Sequence, residues 1–401
     1  MEFNYKKISR TSQKNLFITS FLILFFQFGF SQTHVNRDWM TEFGYPDTLT
    51  WSKSVPITAD QEIHIGNTKN AQQGVEVLIT LMDAAGNIDW QETFTTGATH
   101  NCYGVDVITK NQDIYVVGTT DNGGTNHDVL ILKYSNTGNL VWSETYNSVH
   151  QLDDVATSIA IDDNDDLYIG AASEGAITDF DYLLLKYDNT GTYLWDERYD
   201  YNNLIDIPVK IEIMEPRVFD SEASASSLTK WDYATVAFHT GSGMFLGDMR
   251  DSIPGVGHDM PYDMATDDDG YIYVTGRSSS NGVDYDIRTV KMDSALNIIW
   301  SENYDFQGLY DVGQTIELDD FGNVYVGGYV TRANNVEEMV LIKYDASNGT
   351  ELWDYQRASE DFTQPAQIVD LTTSSNGDVF FLGQEMANNG YNRLVVGKDG
   401  N

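Results

Sequence analysis

From residue 103 to 146 the chain reads YGVDVITKNQDIYVVGTTDNGGTNHDVLILKYSNTGNLVWSETY. Apolar residues bunch into four runs, GVDVIT, IYVVG, DVLILKY and LVWSETY, separated by stretches rich in Asn, Asp, Gly and Thr. Helical periodicity is absent throughout. Short runs rich in Val, Ile and Tyr between such turn residues predict antiparallel strands joined by hairpins. The third run is apolar throughout, and its counterparts are YLLL at 182–185, MVLI at 339–342 and RLVV at 393–396. Continuous apolar character predicts burial on both faces. The fourth run alternates, with Trp142, Glu144 and Tyr146 on one side and Ser143 and Thr145 on the other. It reads as an outermost, partly solvated strand.

This four-strand unit recurs. Trp39, Trp90, Trp142, Trp195, Trp300 and Trp353, with Phe245 in the one gap, are spaced by 51, 52, 53, 50, 55 and 53 residues. A second ladder, His64, Tyr115, Tyr168, Phe219, Tyr273, Tyr325 and Phe380, keeps the same beat. Two markers in phase predict seven copies of one supersecondary unit. Four-stranded units stacked about an axis form a β-propeller, and seven lies within the range such rings adopt. The fold expected is therefore all-β, a seven-bladed β-propeller of four-stranded antiparallel blades. The blades fall at about 51–94, 103–146, 154–199, 208–249, 260–304, 311–356 and 364–397. The last unit has only three strands, and RDWMTEF at 37–43 resembles IDWQETF at 88–94. That N-terminal strand is expected to complete the last blade and close the ring, leaving no exposed edge.

Lys133, Lys186 and Lys291 each precede a Trp by nine residues, and Lys343 by ten. Across a tight hairpin this places a Lys stem beside an indole, worth about 0.5–1 kcal/mol each. The fourth unit departs from the pattern. It has a Ser/Ala-rich stretch at 221–232, read as a long loop, with Ala237 and Phe245 at the Lys and Trp positions and with His239, Arg250 and Asp251 found in it alone. Drift of one repeat is the simpler explanation.

The recurring Asp-rich turn, the I-Y-V-x-G strand and D-x-L-L-K-Y-D-x-x-G-x-x-x-W resemble the seven-bladed β-propeller repeat family of exported bacterial proteins. The copies DYLLLKYDNTGTYLW at 181–195 and NVYVGG at 323–328 carry the likeness. It implies a secreted or cell-surface propeller. The Y-D-x-x-G-x-x-x-W stretch also resembles the tryptophan-docking repeat of quinoprotein-type propellers. That implies a pyrroloquinoline quinone dehydrogenase or an assembly scaffold, although seven units and the lack of an adjacent cysteine pair depart from that pattern.

Lys6, Lys7, Arg10 and Lys14 precede the apolar run LFITSFLILFFQFGF at 16–30, and Gly29 and Ser31 are small. Residues 1–31 read as a secretory signal peptide cut before Gln32, with an uncleaved anchor helix as the alternative. No other stretch approaches membrane-spanning length, so export to the envelope or the medium is expected. The chain holds 61 acidic and 23 basic residues; removing one acidic and four basic residues with the leader leaves a formal −41. Nucleic acid and anionic membranes would be repelled. Cys102 is the single cysteine, so packing rather than disulfides must hold the ring.

The loops leading into the inner strands carry the candidate chemistry. His100, His150 and His258 fall there, with Asp153, Asp154, Asp259 and Asp263 close by and Asp311 and Asp361 in comparable loops. Converging imidazoles and carboxylates could bind a transition metal or poise an acid–base pair; dispersed over separate loops they are solvated polar groups. The turns DDNDD at 162–166 and DDDG at 267–270 leave calcium as the one ion to consider, but neither has the full ligand set, which favours plain hairpin turns and no cofactor. No compact catalytic motif occurs. The expectation is a non-catalytic scaffold binding an extracellular glycan, peptide or surface protein. The alternative is a propeller enzyme, a hydrolase or lyase with a His/Asp site, or a quinoprotein-like assembly propeller.

Overall fold

The computed structural model describes residues 33–36, 39–42, 50–58, 61–83, 87–176, 179–227, 230–251, 257–359, 364–373, 377, 379–386 and 392–398. The expected leader lies outside them. Among the described residues there are strands and no helix. Six antiparallel sheets of four strands follow one another at 50–94, 102–146, 154–199, 206–251, 260–304 and 312–357, and a seventh, at 366–398, has three hydrogen-bonded strands. The third strand of the second sheet, Asp128–Tyr134, is buried at every position, whereas the fourth, Leu140–Tyr146, is exposed except at Trp142 and Tyr146, which are half-buried. The sheets are blades of one β-propeller. Each inner strand packs on the next, and Lys53 of the first pairs with Asp370 of the last at 3.8 Å, which closes the ring at its axis.

The N-terminal segment forms a hairpin of Thr33–Asn36 with Trp39–Glu42. Thr33–Asn36 lies beside Asn392–Lys398, so the N-terminal hairpin neighbours the last sheet.

Every inner strand carries a bulge at the same place: between Trp51 and Lys53, Gly104 and Asp106, Ala156 and Ser158, Pro208 and Lys210, Pro261 and Asp263, Gly313 and Thr315, and Ile368 and Asp370. A bulge bends its strand and re-aims the next side chain. Here that side chain reaches into the following blade: Asp106 accepts the amide of Ile159 (3.1 Å), Ser158 that of Ile211 (3.3 Å) and Asp263 that of Ile316 (3.0 Å).

The tryptophan beat has a direct cause. Trp90 donates its indole N–H to the carbonyl of Asn136 (2.9 Å), Trp142 to Asn189 (3.2 Å) and Trp300 to Ala346 (3.0 Å), always in the hairpin turn of the next blade. The turn glycine, Gly138, Gly191 or Gly349, has positive φ and lies flat under that indole; a Cβ at Gly191 would sit 3.0 Å from the Trp142 ring. Each lysine stands opposite its Trp in register, but its ammonium also lies over the second-strand tyrosine, Lys133 at 4.9 Å from Tyr115 and Lys186 at 4.6 Å from Tyr168. Tyr115, Tyr168, Phe219, Tyr273 and Tyr325 are all buried between blades, each contributing about 1.5–3 kcal/mol. In register the first blade's member of this row is Ile63 rather than His64, since Ile63 pairs with Leu81 and Leu81 with Trp90. A one-residue slip in a strand exchanges the two faces.

The fourth blade is more regular than its sequence. Its Ser/Ala-rich stretch is not a loop: Arg217–Ser227 and Lys230–His239 are two paired strands. Ser221, Ala223, Ser224 and Ala225 are buried. By register the Trp position belongs to Gly247, and Phe245 corresponds to Tyr193; Phe245 stacks on Tyr199 at 5.3 Å. Arg250 matches Arg198 of the third blade, so it is not peculiar to this unit.

Candidate functional site

Inner strands begin, and second strands end, on one face of the ring, and the candidate loops gather there. Asp154, Asp259 and Asp311 are fully buried. Asp154 accepts the amide of Ser148 (2.6 Å) and the hydroxyl of Ser173. Asp259 accepts the Ser278 hydroxyl and the Ser279 amide (3.2 Å). Asp311 accepts the amides of Phe306 (2.6 Å) and Thr331 (3.0 Å), yet burial still lifts its carboxyl to about 7. Asp206 repeats the arrangement in the fourth blade with Ser224 and Tyr201. These four carboxylates tie each inner strand to its loop. Asp263 sits within an inner strand and bridges blades as described above. Asp361 lies outside the described residues.

The three histidines do not meet. His100 bonds Thr96 through Nδ1 (3.0 Å) and is cradled by Gly97 and Gly123. His150 is exposed. His258 accepts the Trp231 amide at Nδ1 (3.3 Å), and burial first, then Arg277, holds its pKa down. Asp153 pairs instead with His127, which sequence reasoning passed over: Nδ1 lies 3.0 Å from Asp153, and this hydrogen bond raises the imidazole pKa. Among the described residues no three His, Cys, Asp or Glu side chains are arranged to hold a metal ion. In the acidic turn at 162–166, Asp162 accepts the amides of Asn164 (2.8 Å) and Asp166 (2.9 Å), and Lys186 lies 2.8 Å from Asp166.

Two clusters emerge that the sequence did not announce. The first lines the axis. Lys53, Asp106, Lys210, Asp263 and Asp370 are equivalent post-bulge residues, joined by Glu212 and Glu317. Lys210 lies 3.9 Å from Asp106 and 4.0 Å from Glu212. Burial lifts Glu212 and Glu317 to about 7, while neighbouring Asp370 raises the pKa of Lys53. Two cations among five acids leave the axis acidic.

The second lies at the rim of blades five and six. The Arg277 guanidinium is 4.9 Å from the ring of Tyr285, 5.3 Å from Tyr310 and 5.8 Å from Tyr262. Tyr310 also approaches Tyr285 (5.0 Å) and stacks on Tyr329 (6.4 Å, 15°). Tyr262, Tyr310 and Tyr329 are half-buried. Register explains why this was hard to see. Blades two, three and four hold Thr119, Ala172 and Ala223 at the position that is Arg277 in blade five and Tyr329 in blade six. An open cleft of about 420 Å³, touching Glu215, Arg217 and Asp268, lies at the opposite face, between hairpin turns, and contains none of these residues.

Residues 257–282, the heart of the fifth unit, match the family model described as Beta-propeller repeat. No curated protein matches the sequence. Among solved structures the chain is similar to the polysaccharide lyase Uly1 (9% identity, 92% of this chain and 96% of that one, TM-score 0.54). It is also similar to a PL25 ulvanlyase (11%, 86% and 90%, TM-score 0.51) and to the quinohemoprotein alcohol dehydrogenase ADHIIG of Pseudomonas putida HK5 (11%, 84% and 72%, TM-score 0.49). At such identities the likeness shows the fold alone. The chain is a β-propeller with one segment that matches the beta-propeller repeat, in a fold it shares with these polysaccharide lyases.

Proposed function

We propose that the protein is an exported, non-catalytic binding propeller whose inner-strand-start face takes an extracellular glycan at the tyrosines around Arg277. The carrying observation is the shallow rim of half-buried Tyr262, Tyr310 and Tyr329. Flat aromatic faces with a polar edge suit the apolar face of a sugar ring, and the hydroxyl groups and guanidinium supply the few directional contacts that fix it. The change of residue type at this rim from blade to blade supports a site here rather than in the repeated aspartate ties. A glycan array probed with the purified chain tests the reading. Binding that Tyr310→Ala weakens supports it; an array without bound glycan overturns it.

A catalytic reading rests on the His127–Asp153 pair. An aspartate on Nδ1 leaves Nε2 free to move a proton, as acid–base catalysis of glycan cleavage requires. Release of unsaturated or reducing ends from the bound glycan, abolished by His127→Gln, would favour this alternative.

A further inference from the structure

The sugar seated at this rim, we infer, is acidic: it carries a carboxylate or a sulfate ester that pairs with Arg277. The inference rests on the glycan reading above and names its ligand class. Arg277 differs from four of the protein's other arginines. Arg198 pairs with Asp181 (3.0 Å), Arg250 with Asp248 (3.3 Å), Arg288 with Asp251 (2.6 Å) and Arg332 with Glu338 (2.6 Å). In a chain with 61 acidic residues against 23 basic ones, a carboxylate beside an arginine is the common outcome. Yet no carboxylate among the described residues pairs with Arg277, whose one side-chain hydrogen bond of its own runs from Nη2 to the Met260 sulfur (3.2 Å). Its company is aromatic instead, three tyrosine rings within 5.8 Å.

Such a guanidinium is held by ring faces and stripped of part of its water, with its counter-charge missing. A half-buried cation gains most from a partner that brings two anionic oxygens in one plane, the geometry a guanidinium fork recognises. A neutral sugar would cover the rings and leave the charge unpaired, at a desolvation cost. The overall acidity of the protein opposes a polyanion at long range, but at physiological salt that repulsion is screened beyond about 8 Å, whereas the contact at Arg277 is not. Acidic polymers should therefore bind through this one residue rather than through a basic surface.

The test uses the full chain at 0.15 M salt with three polymers: a polygalacturonate, a sulfated galactan and an uncharged galactan. We expect at least one acidic polymer to bind tenfold or more tightly than the uncharged one. Arg277→Met should remove that preference, a loss of roughly ten- to a hundredfold for a charge-assisted contact, while the uncharged galactan, which gains no ion pair there, loses much less. Which acidic polymer responds separates carboxylate from sulfate. Unchanged thermal unfolding of Arg277→Met shows that the blade is intact; if it is not intact, Arg277→Lys takes its place, and it should weaken the acidic polymer selectively because the planar fork is lost. Equal affinity for all three polymers, or acidic binding indifferent to both variants, overturns the inference and leaves the glycan reading standing. Failure of every polymer to bind, uncharged included, sinks both.

Discussion

Trp300 gives its indole N–H to the carbonyl of Ala346, 46 residues further on, at 3.0 Å. Lys291, in register with Trp300, gives its ammonium to the same oxygen at 2.9 Å. One turn carbonyl thus takes two donors from the preceding blade, and Gly349 of that turn lies against the indole. A Cβ there would approach the ring to 2.9 Å, at a backbone φ of 75° that disfavours any side chain. Gly349→Val should therefore destabilise the ring by about 2–4 kcal/mol, combining a strained backbone with a wedge in a packed interface. Trp300→Ala should cost about 3–5 kcal/mol. Urea unfolding followed by tryptophan fluorescence measures both; losses under about 1 kcal/mol would show that the relay does not hold the blades.

The third and fourth blades meet over two acids where other blades have none. Asp220 occupies the place of Val116, Ile169 and Val274, and Glu222 that of Gly118, Ala171 and Gly276. Both are fully buried, and the oxygens of Asp220 have no hydrogen-bond partner among the described residues. Burial raises both pKa values well above normal. Asp220→Val should therefore stabilise the protein at pH 7.5, by about 1–3 kcal/mol, as removal of an unsatisfied buried polar group does. A lowered melting temperature for this variant would mean that the carboxyl has a partner it needs.

Acidity also sets the pH response. Burial lifts Glu212, Glu317 and Asp311 to about 7 and Asp206 to about 6, while unfolded carboxyls titrate near pH 4. Between those values the folded chain keeps protons that the unfolded chain has released, so stability falls as pH rises through that window. The His127 imidazole, raised by Asp153, adds a loss in the same direction as pH climbs past its folded value. Calorimetric melting at constant ionic strength should show a higher melting temperature at pH 5.5 than at pH 8. A higher value at pH 8 would contradict the burial of these acids.

Ring closure depends on a charge pair at the axis. Lys53 of the first blade faces Asp370 of the seventh, with Asp106, Asp263 and Glu317 also acting on it. Lys53→Met leaves several half-buried carboxylates uncompensated, whereas Asp370→Asn removes one acid from an acidic channel. The first should destabilise more than the second, and the double variant should be less destabilised than the sum. Additive effects in a double-mutant cycle would show that the first and last blades are not coupled there.

The architecture was legible because its causes are local and repeated. A Trp that docks on the next turn must be followed one blade later by a Gly in that turn, so both residues recur at the blade length. The buried aspartate ties were legible in position at Asp154, Asp259 and Asp311, but not in role. Asp154, Asp206, Asp259 and Asp311 are spaced by 52, 53 and 52 residues, the beat of the blades themselves. Such repetition belongs to the scaffold, and their burial agrees with this. Ser/Ala-rich 221–225 hid a buried strand because small polar residues resemble a loop when their neighbours' bulk is out of sight. Arg277 and its tyrosines escaped for a different reason. They are scattered from 262 to 329, and only the strand register shows that one position is small in three blades, Arg in the fifth and Tyr in the sixth.

A structure of the protein soaked with a short acidic oligosaccharide tests the central claim most directly. Sugar density against Tyr262, Tyr310 and Tyr329, with anionic oxygens within about 3 Å of the Arg277 guanidinium, is the result expected. An oligosaccharide seated instead beside His127 and Asp153, with the tyrosine rim empty, would contradict it.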